Sequence, residues 1–169
     1  MNLSNEKKHS KLAKILLNPI FLFLIVASSM WSVWDISKSE SSEELLMKKA
    51  NELAQKFIIT DGHIDVPWRL HKGGYEDLSV RTTGGDFDYI RATEGGLDVP
   101  FMSIYVPATY QVTGGAKAMA EELIQSVEKI TTDHPDKFEV AYNVADAERI
   151  VSEGKIALPM GMENGAPLE

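Results

Sequence analysis

No cysteine occurs anywhere in the chain. That excludes a disulfide framework, a thiolate zinc site and lipid attachment through a cysteine. Positive charge is also short: 17 Lys and Arg stand against 25 Asp and Glu, a formal net charge of −8 with a pI near 5.0. Such a balance leaves no basic footprint for nucleic acid. The glycine pairs Gly73-Gly74, Gly84-Gly85 and Gly95-Gly96 are not followed by Lys-Ser or Lys-Thr, so no phosphate loop is indicated. No segment repeats at a fixed period. Histidine is sparse, with four in 169 residues. The remainder, 44% hydrophobic and 25% charged, suits one globular domain.

Charge is absent from one long stretch. Lys7, Lys8, Lys11 and Lys14 make a basic start, and the run from Ile15 to Trp34 then carries no charge. Twenty such residues make about 30 Å of helix, enough to cross a bilayer. Basic-then-apolar order is also that of a secretory signal peptide, with Ala27-Ser28-Ser29 as a cleavage site. Trp31 and Trp34 would equally serve as interfacial anchors of an uncleaved segment. No polar face interrupts the run, which argues against a buried core helix. Residues 1–37 are read as a signal peptide or membrane anchor, with export of the remainder to the periplasm or the extracellular side.

Residues 38–56 read as a polar linker and a leading helix. Ser41-Ser42-Glu43-Glu44 makes a capping box, and Leu46, Ala50, Leu53 and Ala54 recur at helical spacing, a face to pack beside the core. Phe57-Ile58-Ile59-Thr60 reads as a buried strand. From His71 to Val99 the chain is turn-rich, with a short helix expected only over Asp86–Thr93 and His71 read as a solvated loop residue. Pro100–Val106 reads as a second strand. Met119, Leu123, Val127 and Ile130 form the stripe of a helix that Pro135 ends, with His134 as a terminal residue. Phe138–Tyr142 is the third strand, Asn143 caps a helix that Gly154 closes, and Ile156–Met162 is the fourth strand. Pro159 within it predicts a bulge or a sheet edge. Strands alternating with helices give an α/β fold with a parallel sheet, and the pattern leaves open whether that sheet is doubly wound or a barrel.

The chemistry concentrates in Asp61-Gly62-His63-Ile64-Asp65-Val66-Pro67. Residues two apart in a strand share a face, so an imidazole at 63 and a carboxylate at 65, about 6–7 Å apart, can close on one metal ion. A satisfied core histidine beside an N-capping aspartate fits the same spacing. Glu163, ahead of Asn164-Gly165, is by itself compatible with a helix-starting acid.

Asp61 to Leu70 resembles the N-terminal signature of the membrane dipeptidases, a family of zinc peptidases. Gly95–Pro107 is similar to that family's second strand, and Gly161-Met162-Glu163-Asn164-Gly165 to the segment bearing its metal-bridging glutamate. The resemblance runs from about Glu43 to Glu169. It implies a (β/α)8 barrel with its site at the C-terminal strand ends, of which residues 57–169 would be the N-terminal half with four strands. It further implies a two-zinc centre, with His63 and Asp65 on the first ion and Glu163 bridging to the second. Two ions about 3.5–4 Å apart would activate a hydroxide against the peptide bond of a dipeptide. Tyr105 matches a position lining the substrate pocket, and Trp68 is assigned to the pocket wall.

The second zinc's histidines and further substrate-binding groups are expected beyond Glu169, since His9, His71 and His134 lie outside the matching motifs. Ala166 stands where some relatives have histidine. The stretch from Phe57 to Glu169 is under half the ~250 residues of a typical complete barrel. The 169 residues alone are therefore expected to lack dipeptidase activity. Partners implied are a dipeptide and, through an uncleaved leader, a membrane, with a homodimer left open. Two rival readings stand beside this one. One is another metal-dependent barrel hydrolase, against which Asp65 and Glu163 argue, because those enzymes usually carry HxH and often a modified lysine. The other is a membrane-anchored, non-catalytic binding protein on the same barrel.

Overall fold

The computed structural model describes residues 42–168, so the expected leader, 1–37, and most of the linker lie outside the described residues. The chain is helical over 42–54, and from Ala50 onward it forms one compact unit. Leu53 remains 41% exposed, so its position does not supply the core contact its spacing suggested. Among the described residues no helix is long and apolar enough to cross a membrane.

The first strand, β1, spans Thr60–Ile64 and leads directly into helix α1, Val66–Gly73. The sequence reading placed this strand earlier. Phe57, Ile58 and Ile59 are instead exposed and precede it, while the Asp61-Gly62-His63-Ile64 motif is itself the strand. Helix α1 is an element the sequence reading does not include: Val66 to Leu70 belong to the motif, and only His71 to Gly73 fall in the expected turn-rich stretch. Its start signals are nonetheless present, with Asp65 at the N-cap position and proline in the first turn.

After a loop come α2 (Tyr89–Gly95), β2 (Val99–Ile104), the single turn α3 (Tyr110–Thr113) and the long α4 (Ala116–Asp133). Then follow β3 (Phe138–Glu139), α5 (Val144–Ser152), β4 (Ile156–Ala157) and β5 (Met160–Met162). The α2 helix starts later than the sequence suggests because Asp88 is its N-cap, accepting from the Arg91 backbone N–H at 2.8 Å.

Every strand pair is parallel. Strand β2 lies between β1 and β5, and β3 pairs with β4. The segment 156–162, expected as one strand, changes partner around Leu158-Pro159. On one side Leu158 N–H donates to Glu139 O at 2.8 Å, and on the other Met102 N–H donates to Pro159 O at 2.8 Å. Proline costs the ladder a donor, and here its carbonyl still contributes. The segment therefore sits inside the sheet, between β2 and β3, and Phe138–Glu139 lies beyond it. Of the bulge or edge expected at Pro159, the structure shows an irregularity, a change of pairing partner within the segment.

Met102, Ile104 and Val106, alternate residues of β2 and its extension, are buried against α1 and α4. From α4 come Met119, Leu123, Val127 and Ile130, each at most 4% exposed, as the periodicity predicted. A smaller core of Val99, Ala141, Ile150 and Ala157 lies beside α5, whose N-cap is the expected Asn143, accepting from Asp146 N–H at 2.9 Å.

The loop after α1 is tied down by charged and polar clips. Arg69 Nη1 donates to Glu76 Oε2 at 2.5 Å and to Gly84 O at 2.9 Å. Tyr75 donates to Asp133 at 2.7 Å, Asp77 pairs with His134 at 3.1 Å, and Lys137 donates to Ser79 O at 3.0 Å. Burial first, and then the hydrogen bond to Asp133, push the Tyr75 phenol up to about 12.

Candidate metal centre

Strand β1 is not paired in plain register with β2. Asp61 stands opposite Pro100, yet Ile64 stands opposite Met102, so β1 spends three steps where β2 spends two. One extra residue reverses the facing of everything after it. Without it, His63 would share the Met102 face and turn toward α1 and α4. With it, Ile64 packs against that core and His63 turns to the other face. Asp61 braces this irregular turn, its Oδ1 accepting from the His63 backbone N–H at 2.9 Å.

Asp65 follows the strand and occupies the N-cap position of α1 without capping it. Its Oδ1 instead lies 3.2 Å from His63 Nε2. Glu163 arrives from β5, whose Gly161 pairs with Ser103, so by alternation Ser103 and Glu163 face the same way. Glu163 Oε2 lies 3.6 Å from His63 Nε2 and accepts from Ser103 Oγ at 3.0 Å. One ligand-type atom from each of His63, Asp65 and Glu163 lies within 4.8 Å of the other two.

These separations fit a cation. Zn–N and Zn–O bonds of about 2.0–2.2 Å in tetrahedral array put neighbouring ligand atoms roughly 3.4 Å apart. The 3.2 and 3.6 Å spacings from His63 Nε2 bracket that value. Two carboxylates and an imidazole also supply the hard and borderline donors that zinc accepts. Glu163, with 37% of its side chain exposed, remains open to solvent, so an ion and a further ligand can reach it.

Trp68 lies on α1, three residues after Asp65. Its ring meets Tyr105 edge-on with centroids 5.2 Å apart and stacks on His71 at 5.4 Å. The two residues expected in a substrate pocket are thus in mutual contact. His71 is exposed, as expected, but sits on a helix and not in a loop. It lies on α1, with its side chain 28% exposed and Nδ1 3.0 Å from Glu122 Oε1 on α4. His134 is the C-cap of α4, as expected, and its N–H donates to Ile130 O at 3.1 Å.

Three residues of the site have no metal-binding pattern in the sequence. Asp61 acts through a turn contact, Ser103 through a hydrogen bond across the sheet, and Asn164 by donating to Val106 O. Asp61 and Asn164 fall inside the two quoted motifs without a role assigned there, and Ser103 sits two residues before Tyr105 and so on its face.

Comparison with known proteins gives concordant results. Residues 47–169 match the family model described as membrane dipeptidase, peptidase family M19. A dipeptidase of Aspergillus terreus, ataJ, is 29% identical over 127 residues, which cover 68% of this chain and 31% of that protein. The crystal structure of the probable dipeptidase PvdM from Pseudomonas aeruginosa is similar with a TM-score of 0.62 and 26% identity, covering 74% of this chain and 32% of that one. A metallopeptidase of Rhodobacter sphaeroides, solved with a phosphinate mimic of the dipeptide L-Ala-D-Ala, has a TM-score of 0.55 at 20% identity. It covers 66% of this chain and 39% of that one, and at that identity it speaks for the fold. The chain therefore spans about a third of the length of the relatives it matches.

Proposed function

Because the chain belongs to the membrane dipeptidase family, peptidase family M19, we propose that it furnishes the first metal-binding rim of a zinc dipeptidase. The observation that carries this reading is the convergence of His63, Asp65 and Glu163, from two separate strands, to within 4.8 Å. In this reading His63 and Asp65 hold one zinc ion, and Glu163 reaches toward a second.

Zinc, when bound there, supplies the Lewis acidity that activates water and polarises an amide carbonyl at neutral pH. The chain's own residues provide the rest. Asp65 and Glu163 offset the ions' charge, and the 61–64 bulge keeps His63 on their side of the sheet. Tyr105, braced edge-on by Trp68, presents a phenol suited to the carboxylate of a dipeptide. The described strands do not close into a ring, so hydrolysis belongs to a complete (β/α)8 barrel containing this segment. The N-terminal leader and export rest on residues 1–37 alone, which lie outside the described residues.

The test has two arms. Calorimetric titration of this chain with Zn2+ is expected to give saturable binding that His63→Ala removes. A complete barrel containing the segment is expected to hydrolyse dipeptides, to stop on chelation and to recover with Zn2+. Absence of both binding and zinc-dependent hydrolysis would overturn the reading.

A further inference from the structure

We propose that Ser103 is a positioning residue for the metal centre, acting through Glu163. The inference rests on the metal-binding reading above and adds to it a residue outside the ligand set.

Ser103 is 3% exposed near the C-terminal end of β2, the strand between β1, which carries His63, and β5, which leads to Glu163. A serine hydroxyl has one proton to donate. A serine buried in a strand commonly spends that proton on a nearby backbone carbonyl. Here Oγ donates at 3.0 Å to Oε2 of Glu163, sixty residues away in the sequence. That same oxygen is the one 3.6 Å from His63 Nε2. The hydroxyl therefore holds the carboxylate oxygen that faces the imidazole.

Backbone contacts hold the base of the same side chain. Glu163 N–H donates to Ile104 O at 3.4 Å, and Asn164 Nδ2 donates to Val106 O. With the main chain anchored to β2, the carboxylate's remaining freedom is rotation about its own side-chain bonds, and Ser103 removes it. Outer partners of this kind typically tune metal affinity by about 10–100-fold.

The experiment uses Co2+ as the probe, with the chain carrying Ser103→Ala, Ser103→Cys, Ser103→Thr, Glu163→Gln and Ser103→Ala combined with Glu163→Gln. Affinity is read by calorimetry and ligand geometry by the visible d–d bands. Ser103→Ala is expected to weaken Co2+ binding by about 10–100-fold and to alter the bands. Ser103→Cys, which keeps the volume and weakens the donor, is expected to fall between, and Ser103→Thr to restore wild-type values. In the Glu163→Gln background, Ser103→Ala is expected to add less than a twofold loss. Unchanged affinity and bands in Ser103→Ala, or an equal loss with and without Glu163, would overturn the proposal while leaving the metal site standing. A wild-type chain that binds no Co2+ would overturn the metal reading and this proposal with it.

Discussion

Asp65 stands where a helix-capping aspartate would stand, yet its carboxylate turns back to His63. The two readings of the motif make different predictions at this residue. If Asp65 were a working cap, its loss would cost about 0.5–2 kcal/mol of stability. The observed geometry predicts instead that Asp65→Asn leaves metal-free stability within about 0.5 kcal/mol and lowers Zn2+ affinity by more than 10-fold, beyond the lower end of outer-partner effects. Urea melts in chelator and calorimetry check the two halves. Asp88 presents the opposite case, a buried carboxylate that is structural. Burial alone would raise its pKa, but the backbone N–H groups of Arg91 and Thr82 and the Arg91 guanidinium outweigh it and hold the group below the ordinary aspartate value of 3.8. A depressed folded pKa means stability that is present above the unfolded value and lost as pH falls through the folded one. Asp88→Asn is therefore expected to cost on the order of 1.5–3 kcal/mol at pH 7 and progressively less below pH 3.8. Urea melts at pH 7 and pH 3 measure the difference. The candidate ligands were legible at this scale because ligation restricts residue type. The supporting residues were not, since Asp61 and Ser103 act through positions that only the folded backbone brings together.

At the scale of elements, the bulge in β1 decides which way the motif faces. Deleting Gly62 would remove the extra residue and restore plain pairing, with His63 opposite Phe101 and Ile64 still opposite Met102. Both side chains then keep their faces, so this variant is expected to retain Zn2+ binding, read by calorimetry. Gly96 ends α2 in the left-handed region at φ 75, and a Cβ there would lie 2.7 Å from the Ala54 carbonyl oxygen. Backbone cannot yield as a side-chain tip can, so Gly96→Ala is expected to destabilise by at least about 1–3 kcal/mol, read by thermal denaturation. Helices α4 and α5 were readable from their stripes and caps, because each buries one continuous face. Strand β1 was misplaced because Phe57, Ile58 and Ile59 satisfy strand composition while remaining exposed. Helix α1 was missed because its few residues are mostly those of the motif, where polar and aromatic positions follow the site more than the core.

At the scale of the whole molecule, the sequence supports an α/β reading with parallel strands, and the structure and its relatives agree. The lateral order was not legible. Nothing in the composition of Phe138–Glu139 says that it lies outside the segment 156–162, because the order is set by long-range pairing. The strands that lead to the candidate ligands, β1 and β5, flank β2, so an ion bound there would link the middle of the sheet to both neighbours. Zinc that binds only the folded chain is expected to stabilise it by about 2.7 kcal/mol at a hundredfold excess over Kd. Chelation is expected to reverse that gain, and His63→Ala to abolish it.

The most direct test of the central claim is anomalous X-ray diffraction at the zinc edge from crystals soaked in Zn2+. The account predicts a peak about 2.0–2.2 Å from His63 Nε2 and from a carboxylate oxygen of both Asp65 and Glu163. A peak held by other residues, or none at these three in fully loaded crystals, would contradict it.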